Sequence, residues 1–189
     1  MHLLYLGMTL WWGAHVLKRV SPELRQFMGK VMGAKVARGL ISAILLASVV
    51  LMYLGYHQAD MVVVYTPIAG IGYLTDLLML PAVFLAGAGS VKGVVAAKIR
   101  HPMLWSVLVW AGAHLLVNGD MTSIVLFGGL GAWAIVQMLL INGREGPWQR
   151  PEPGPIAKDR KLAIISVVLY IAFAGAHYFF GHNPFLGTY

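Results

Sequence analysis

HPMLWSVLVWAGAHLLVNGD, residues 101 to 120, opens on a His-Pro pair, runs through mostly apolar residues, sets His114 inside the run and closes on Asn-Gly-Asp. The apolar residues do not alternate with period two, so the run reads as helix and not as barrel strand. Its surroundings decide what solvent it sees. Hydrophobic residues make up 59% of the 189, charged residues 11%, and mean hydropathy is +0.73. That is too apolar for an ordinary soluble globule. Lipid admits only helices and closed barrels, because it offers the backbone no hydrogen-bond partners.

Six such runs, roughly 2–19, 39–57, 68–88, 102–118, 121–142 and 162–181, predict an all-α, polytopic helical membrane bundle with about six transmembrane helices. A single multi-pass membrane domain over 1–189 is expected. MHLLYLGMTLWWGAHVL at the start has no basic region before the apolar run and no small-residue cleavage pattern, so it reads as a retained first span.

The net charge of +7 would suit nucleic acid in a soluble chain, but its distribution points elsewhere. Every Lys and Arg falls in alternate loops: Lys18 to Arg38, then Lys92, Lys98 and Arg100, then Arg144 to Lys161. The connections around HQADM (57–61) and NGDMT (118–122) carry Asp60 and Asp120 and no base. The positive-inside rule makes the basic loops cytoplasmic and puts both termini on the outer, periplasmic side. The expected partner is membrane lipid, and no nucleic acid is expected.

Two connections stand out. SPELRQFMGKVMGAKV (21–36) starts with Ser21 as N-cap and Pro22 at the first helical position, and Phe27, Met28, Val31 and Met32 follow at helical spacing among bases. A cytoplasmic amphipathic helix on the membrane surface is expected there. Residues 142–161 are rich in Pro, Gly and charge and read as a cytoplasmic loop.

The chain has no cysteine, which excludes disulfides, thiolate metal sites and covalent c-type haem attachment. Any haem would be b-type. The candidate ligands are histidines. Gly-Ala-His recurs at 13–15, 112–114 and 175–177, and the small residues before each ring admit a neighbouring helix or a flat cofactor. Each ring has an apolar stripe on its own face: Trp11 and Met8 with His15, Trp110, Val107, Met103 and Asn118 with His114, Tyr170 and Phe173 with His177. Two imidazoles from different helices can ligate a haem iron from opposite sides; alternatively each ring is a packing residue hydrogen-bonded across helices. His101 and His114, 13 residues apart, stand about 20 Å apart along a helix and cannot share a metal. Depth counted along the spans sets His114 and His177 in the outer third and His15 and His101 near the cytoplasmic end. Asp76 falls at the depth of the first pair, as a candidate to orient a ring or move a proton, or as a local cap in a helix kinked at Pro81.

Over 101–133, His-Pro, then Trp, then His-Leu-Leu-x-Asn-Gly-Asp, then Ser-x-x-Leu-Phe-Gly, the chain resembles the NnrU family of bacterial membrane proteins. The likeness is looser elsewhere: a first span ending in His, and a late His177 followed by Gly181 and Pro184. The family name reflects an association with nitrite and nitric oxide reduction in denitrification. Its plant and cyanobacterial relatives are zeta-carotene isomerases that use haem b to isomerise the central double bond of a linear carotene. The resemblance implies haem b, axial ligands at His15 and His114, and an apolar isoprenoid substrate such as a carotenoid. The depth reading instead pairs His114 with His177, and both pairings stay open.

Three functions are therefore weighed: a haem-dependent cis-trans isomerase, a non-catalytic accessory protein of nitrogen-oxide respiration with membrane redox partners, and a membrane methyltransferase. The last rests on Arg-His-Pro-Met (100–103); the Gly and acidic pair that would bind S-adenosylmethionine are missing after it. His101 then serves as a helix-start residue, with Pro102 in the first turn. No Walker, Rossmann, zinc or nucleophile-elbow motif is present.

Overall fold

The computed structural model describes residues 1–181, so Pro184 lies outside the described residues. The chain divides into two compact units, Met1–Val62 and Val63 onward.

In the N-terminal unit, α1 (His2–Val20) and α3 (Ala34–His57) pack against each other along their lengths. Glycine sets their separation. A Cβ on Gly55 would lie 2.8 Å from the Leu4 Cα and 2.9 Å from the Leu3 carbonyl carbon, and one on Gly7 would lie 2.7 Å from the Ser48 carbonyl oxygen. Leu4 is fully buried in this seam. Small residues at such contacts let helix backbones approach, which is the main source of helix association where lipid is as apolar as the side chains. Gly55→Ala pits a gain of about 1 kcal/mol in helix propensity against a collision with immovable backbone worth about 1–3 kcal/mol. The collision wins: SDS-titrated unfolding of the variant is expected at lower SDS than for the parent chain.

The amphipathic stretch is shorter than the sequence led us to expect. α2 covers Pro22–Met32, and Gly33, at φ 84, stops it before α3 begins at Ala34. That backbone region is open to glycine and leaves the helix. Ser21 holds the N-cap position without a side-chain cap bond; its N–H instead closes α1 on the Leu17 carbonyl.

The C-terminal unit holds α4 (Gly72–Val91), α5 (Pro102–Val117), α6 (Met121–Ser123), which runs through a π turn at Ile124–Gly128 into α7 (Gly129–Glu145), and α8 (Ile156–Phe179). α5 packs on both α4 and α7, and α4 on both α5 and α8, giving the row α7, α5, α4, α8. Hydroxyls tie the central pair: Ser106 Oγ donates to the Ala82 carbonyl at 2.6 Å and Thr75 Oγ1 to the Ala113 carbonyl at 3.0 Å.

At one end of the row, His101 sits at the N-cap position of α5 and its Nε2 meets Asn142 Oδ1 at 2.9 Å. Arg100 donates to the Gly146 carbonyl at 2.9 Å, and buried Asp159 accepts from the Val94 N–H at 2.6 Å. The Pro- and Gly-rich connection is thus narrower than 142–161, with helix on both sides of residues 146–155, and Gly154 N–H reaches the Gly93 carbonyl.

The fold is all-helical; among the described residues extended pairing is limited to one bridge, Val63 with Asp120. Four helices are long and apolar enough to cross a membrane: Ala34–His57, Gly72–Val91, Met121–Glu145 and Ile156–Phe179. The other two expected spans are also helical, but α5 has 16 residues, about 24 Å of axis, and α1 ends in Lys18-Arg19.

Candidate functional site

His114 lies one turn before the end of α5. Its Nδ1 is 2.9 Å from the Trp110 carbonyl oxygen, four residues back. A carbonyl can only accept, so Nδ1 carries the proton and the neutral ring keeps its lone pair on Nε2. His177 on α8 repeats the arrangement, with Nδ1 2.7 Å from the Phe173 carbonyl. The two rings lie close, with centres 6.4 Å apart and planes tilted by 48°. His114 is part-buried and His177 exposed.

Phe127 stacks on His114 at 4.6 Å and 28°, and Trp110 meets Phe127 edge-on at 5.1 Å. The π turn at Ile124–Gly128 presents Phe127 there, since the wider turn rotates everything before it relative to the rest of the helix. Behind the ring, the Thr75 hydroxyl holds the Ala113 carbonyl. Asp76, the next residue on α4, is half-buried and within electrostatic reach of Tyr170 on α8.

The Asn-Gly-Asp that follows is a clasp. Asn118 Nδ2 donates to the His114 carbonyl at 2.8 Å, so its side chain holds the backbone of the histidine. The Gly119 carbonyl accepts from the N–H groups of Val64 and Tyr65 at 2.8 and 3.0 Å. A Cβ at Gly119 would fall on the Tyr65 carbonyl oxygen. The Tyr65 hydroxyl reaches the carbonyls of Leu115 and Asn118, and Asp120 caps α6 through the Ser123 N–H at 2.9 Å and hydroxyl at 2.6 Å. Partial burial, and secondarily the Asp120 carboxylate, raise the Tyr65 phenol above its ordinary value, which keeps it a donor. Residues 63–65 therefore form a strap over the end of α5.

The N-terminal unit carries a third copy of the same local build. His15 Nδ1 is 3.0 Å from the Trp11 carbonyl, with ring centres 4.3 Å apart. A groove of about 590 Å³ on the same helix is lined by Met8, Thr9, Trp12, Gly13 and Val16. All three Gly-Ala-His sites are thus aromatic-x-Gly-Ala-His: WWGAH (11–15), WAGAH (110–114) and FAGAH (173–177). At Gly13, Gly112 and Gly175 an added Cβ would meet nothing within 4 Å, so the helix face across from each ring is open at the glycine.

Of the residues singled out in the sequence, His114, His177 and Trp110 come together, and Asp76 follows Thr75 on the helix tied to α5. His15 and Trp11 belong to the other unit. Phe127, although it belongs to the Ser-x-x-Leu-Phe-Gly stretch, is not singled out as a site residue by the sequence, and neither are Thr75 and Tyr65. Among the described residues no group of three or more His, Asp or Glu is gathered to hold an ion.

Fold and site define a class: an all-helical protein with membrane-length helices and carbonyl-anchored histidines. The chain matches the family described as NnrU protein over residues 3–184, nearly its whole length, and belongs to that family. No curated protein and no solved structure matches it.

Proposed function

We propose that this protein is a six-span protein of the bacterial cytoplasmic membrane, with both termini outside, that binds haem b at His114 and isomerises a double bond of a membrane-dissolved isoprenoid such as a carotene. The observation that carries the reading is the apposition of two carbonyl-anchored imidazoles, His114 and His177, with centres 6.4 Å apart. Two neutral imidazoles this close, each with Nδ1 taken up by a carbonyl, would be the residues to hold a metal-centred group through Nε2. The donor set fits the group: a porphyrin supplies four nitrogens itself and needs only one or two rings from the protein.

When bound, haem supplies an iron centre able to engage a polyene and lower the barrier to rotation about its double bond. The protein's own part is positional. Trp110 and Phe173 carbonyls fix the tautomer and direction of the rings, and Phe127 blocks one face of His114. Trp110, Phe127 and Phe173 offer an apolar wall that would suit a hydrocarbon and exclude water. The exposed His177 would be the less enclosed of the two rings holding the group. The family resemblance supports His15 as the second ligand, and its Trp11-anchored ring is equally prepared for one.

The test is the absorption spectrum of the purified protein in detergent, oxidised and then dithionite-reduced, followed by incubation with a linear cis-carotene and separation of isomers. A six-coordinate b-type spectrum and a changed isomer with no net redox are expected. A protein that stays colourless after haem is supplied refutes the haem reading. Bound haem with an unchanged polyene leaves the accessory role in nitrogen-oxide respiration.

A further inference from the structure

α2 is the helix in the N-terminal unit that the site does not use. None of its residues is buried. At 3.6 residues per turn, Leu24, Phe27, Met28 and Val31 fall on one stripe, while Gln26 and Lys30 lie opposite. Most of the stripe is open: Leu24 is 47%, Phe27 59% and Val31 66% exposed, and Met28 is partly covered. The other side of the helix is fastened, by Arg25 donating to the Ala37 carbonyl at the start of α3 at 3.1 Å. The open stripe is therefore held in a fixed direction.

Position and charge say what covers it. Gly33 alone separates α2 from α3, a helix of membrane-crossing length and apolarity, so α2 stands at the level where a span leaves the hydrocarbon. Between residues 18 and 38 the chain carries Lys18, Arg19, Arg25, Lys30, Lys35 and Arg38 against the single acid Glu23. A helix with a bare apolar face, flanking cations and a neighbouring span has the chemistry of one lying in the plane of the membrane surface. Long basic side chains extend their apolar stems along such a surface and set the charge at the headgroups.

We propose that α2 is an anionic-phospholipid contact, with the Leu24, Phe27, Met28 and Val31 stripe inserted at the headgroup boundary and Lys30 and Lys35 on the phosphates. The inference is independent of haem.

The absence of cysteine makes the test direct. Nitroxide labels are placed singly at Phe27→Cys, Val31→Cys and Gln26→Cys in the full chain, reconstituted in phosphatidylcholine vesicles with and without phosphatidylglycerol. Collision with oxygen, enriched among acyl chains, is compared with collision with a water-soluble nickel chelate. With phosphatidylglycerol, labels at 27 and 31 are expected to meet oxygen and be shielded from nickel, and the label at 26 the reverse. Lys30→Gln and Lys35→Gln should each lower the ratio of immersed to solvated label about fivefold, since a juxtamembrane cation near an anionic surface contributes roughly that factor. Circular dichroism confirms that each variant keeps its helix. Nickel reaching the stripe in anionic vesicles overturns the proposal. Shielding from both reagents overturns it in favour of a second copy of the chain, and immersion indifferent to lipid charge overturns the headgroup assignment.

Discussion

His114→Ala is expected to abolish the bound-haem spectrum, while His177→Ala keeps haem and converts it to a five-coordinate form. The asymmetry follows from how each ring is held. His114 is part-buried, anchored at Nδ1, stacked on Phe127, and seated on a helix whose carbonyl at Ala113 is gripped by Thr75. His177 is exposed and relies on its Phe173 carbonyl alone among these supports. A ligand fixed beforehand binds without ordering cost, so its loss removes most of the affinity; a mobile ligand contributes mainly to coordination number. Thr75→Val keeps every ligand but frees the carbonyl before His114, and a loss of haem affinity on the order of tenfold is expected. Titration of apoprotein with haem, read at the Soret band, measures all three. His15→Ala decides the pairing: an unchanged spectrum supports His177 as the partner, and a five-coordinate spectrum here with none in His177→Ala returns the pair to His15 and His114. Added imidazole should restore six-coordination wherever a ring has been removed.

The helices were legible because apolar length is a coarse signal that survives boundary errors; all six expected spans are helical in the structure. Crossing the membrane asks more than helicity. α5, with 16 residues, and α1, with its terminal Lys18-Arg19, fall short of the length or apolarity that marks the other four. The end of the amphipathic helix was missed because Gly33 continues a helical pattern in sequence and leaves it only in φ.

Within the site, spacing carried the histidines. The i−4 aromatic before each Gly-Ala-His was also readable, since a ring at that offset shares a face with the histidine; its carbonyl as the anchor of Nδ1 was not. Phe127 was hidden by the π turn, which shifts the helical register so that counting from Asp120 mispositions it. Tyr65 was hidden for a different reason. It lies 49 residues before His114 in an exposed apolar connection, and nothing local in VVVYTP tells that its backbone will pair with Gly119.

That pairing makes Gly119→Ala the second change with a large expected effect. The glycine is not there for its torsion, because its φ is not among the positive ones. It is there for space. A Cβ would fall on the Tyr65 carbonyl oxygen, 2.8 Å from its carbon and 3.0 Å from the ring Cδ2. Neither side can give way cheaply. The Gly119 carbonyl holds the Val64 and Tyr65 N–H groups, and the Tyr65 hydroxyl is tied to α5, so a shift of either segment breaks several hydrogen bonds together. At about 1 kcal/mol for each bond lost, and about 1–3 kcal/mol for overpacking, detachment of the strap is less costly than strain within it. Hydrogen exchange at the Val64 and Tyr65 amides is expected to accelerate by roughly ten- to a hundredfold, since each factor of ten corresponds to about 1.4 kcal/mol. Tyr65→Phe, which keeps both amide bonds and removes the hydroxyl, should accelerate them by less than tenfold. Because Asn118 in the same turn holds the His114 carbonyl, the loosened strap also reaches the ligand: haem affinity in Gly119→Ala should fall while the helix content of α5 is retained. If the strap amides exchange no faster in Gly119→Ala, the clasp is not what requires Asn-Gly-Asp at this place, and the motif must be explained by something that binds there.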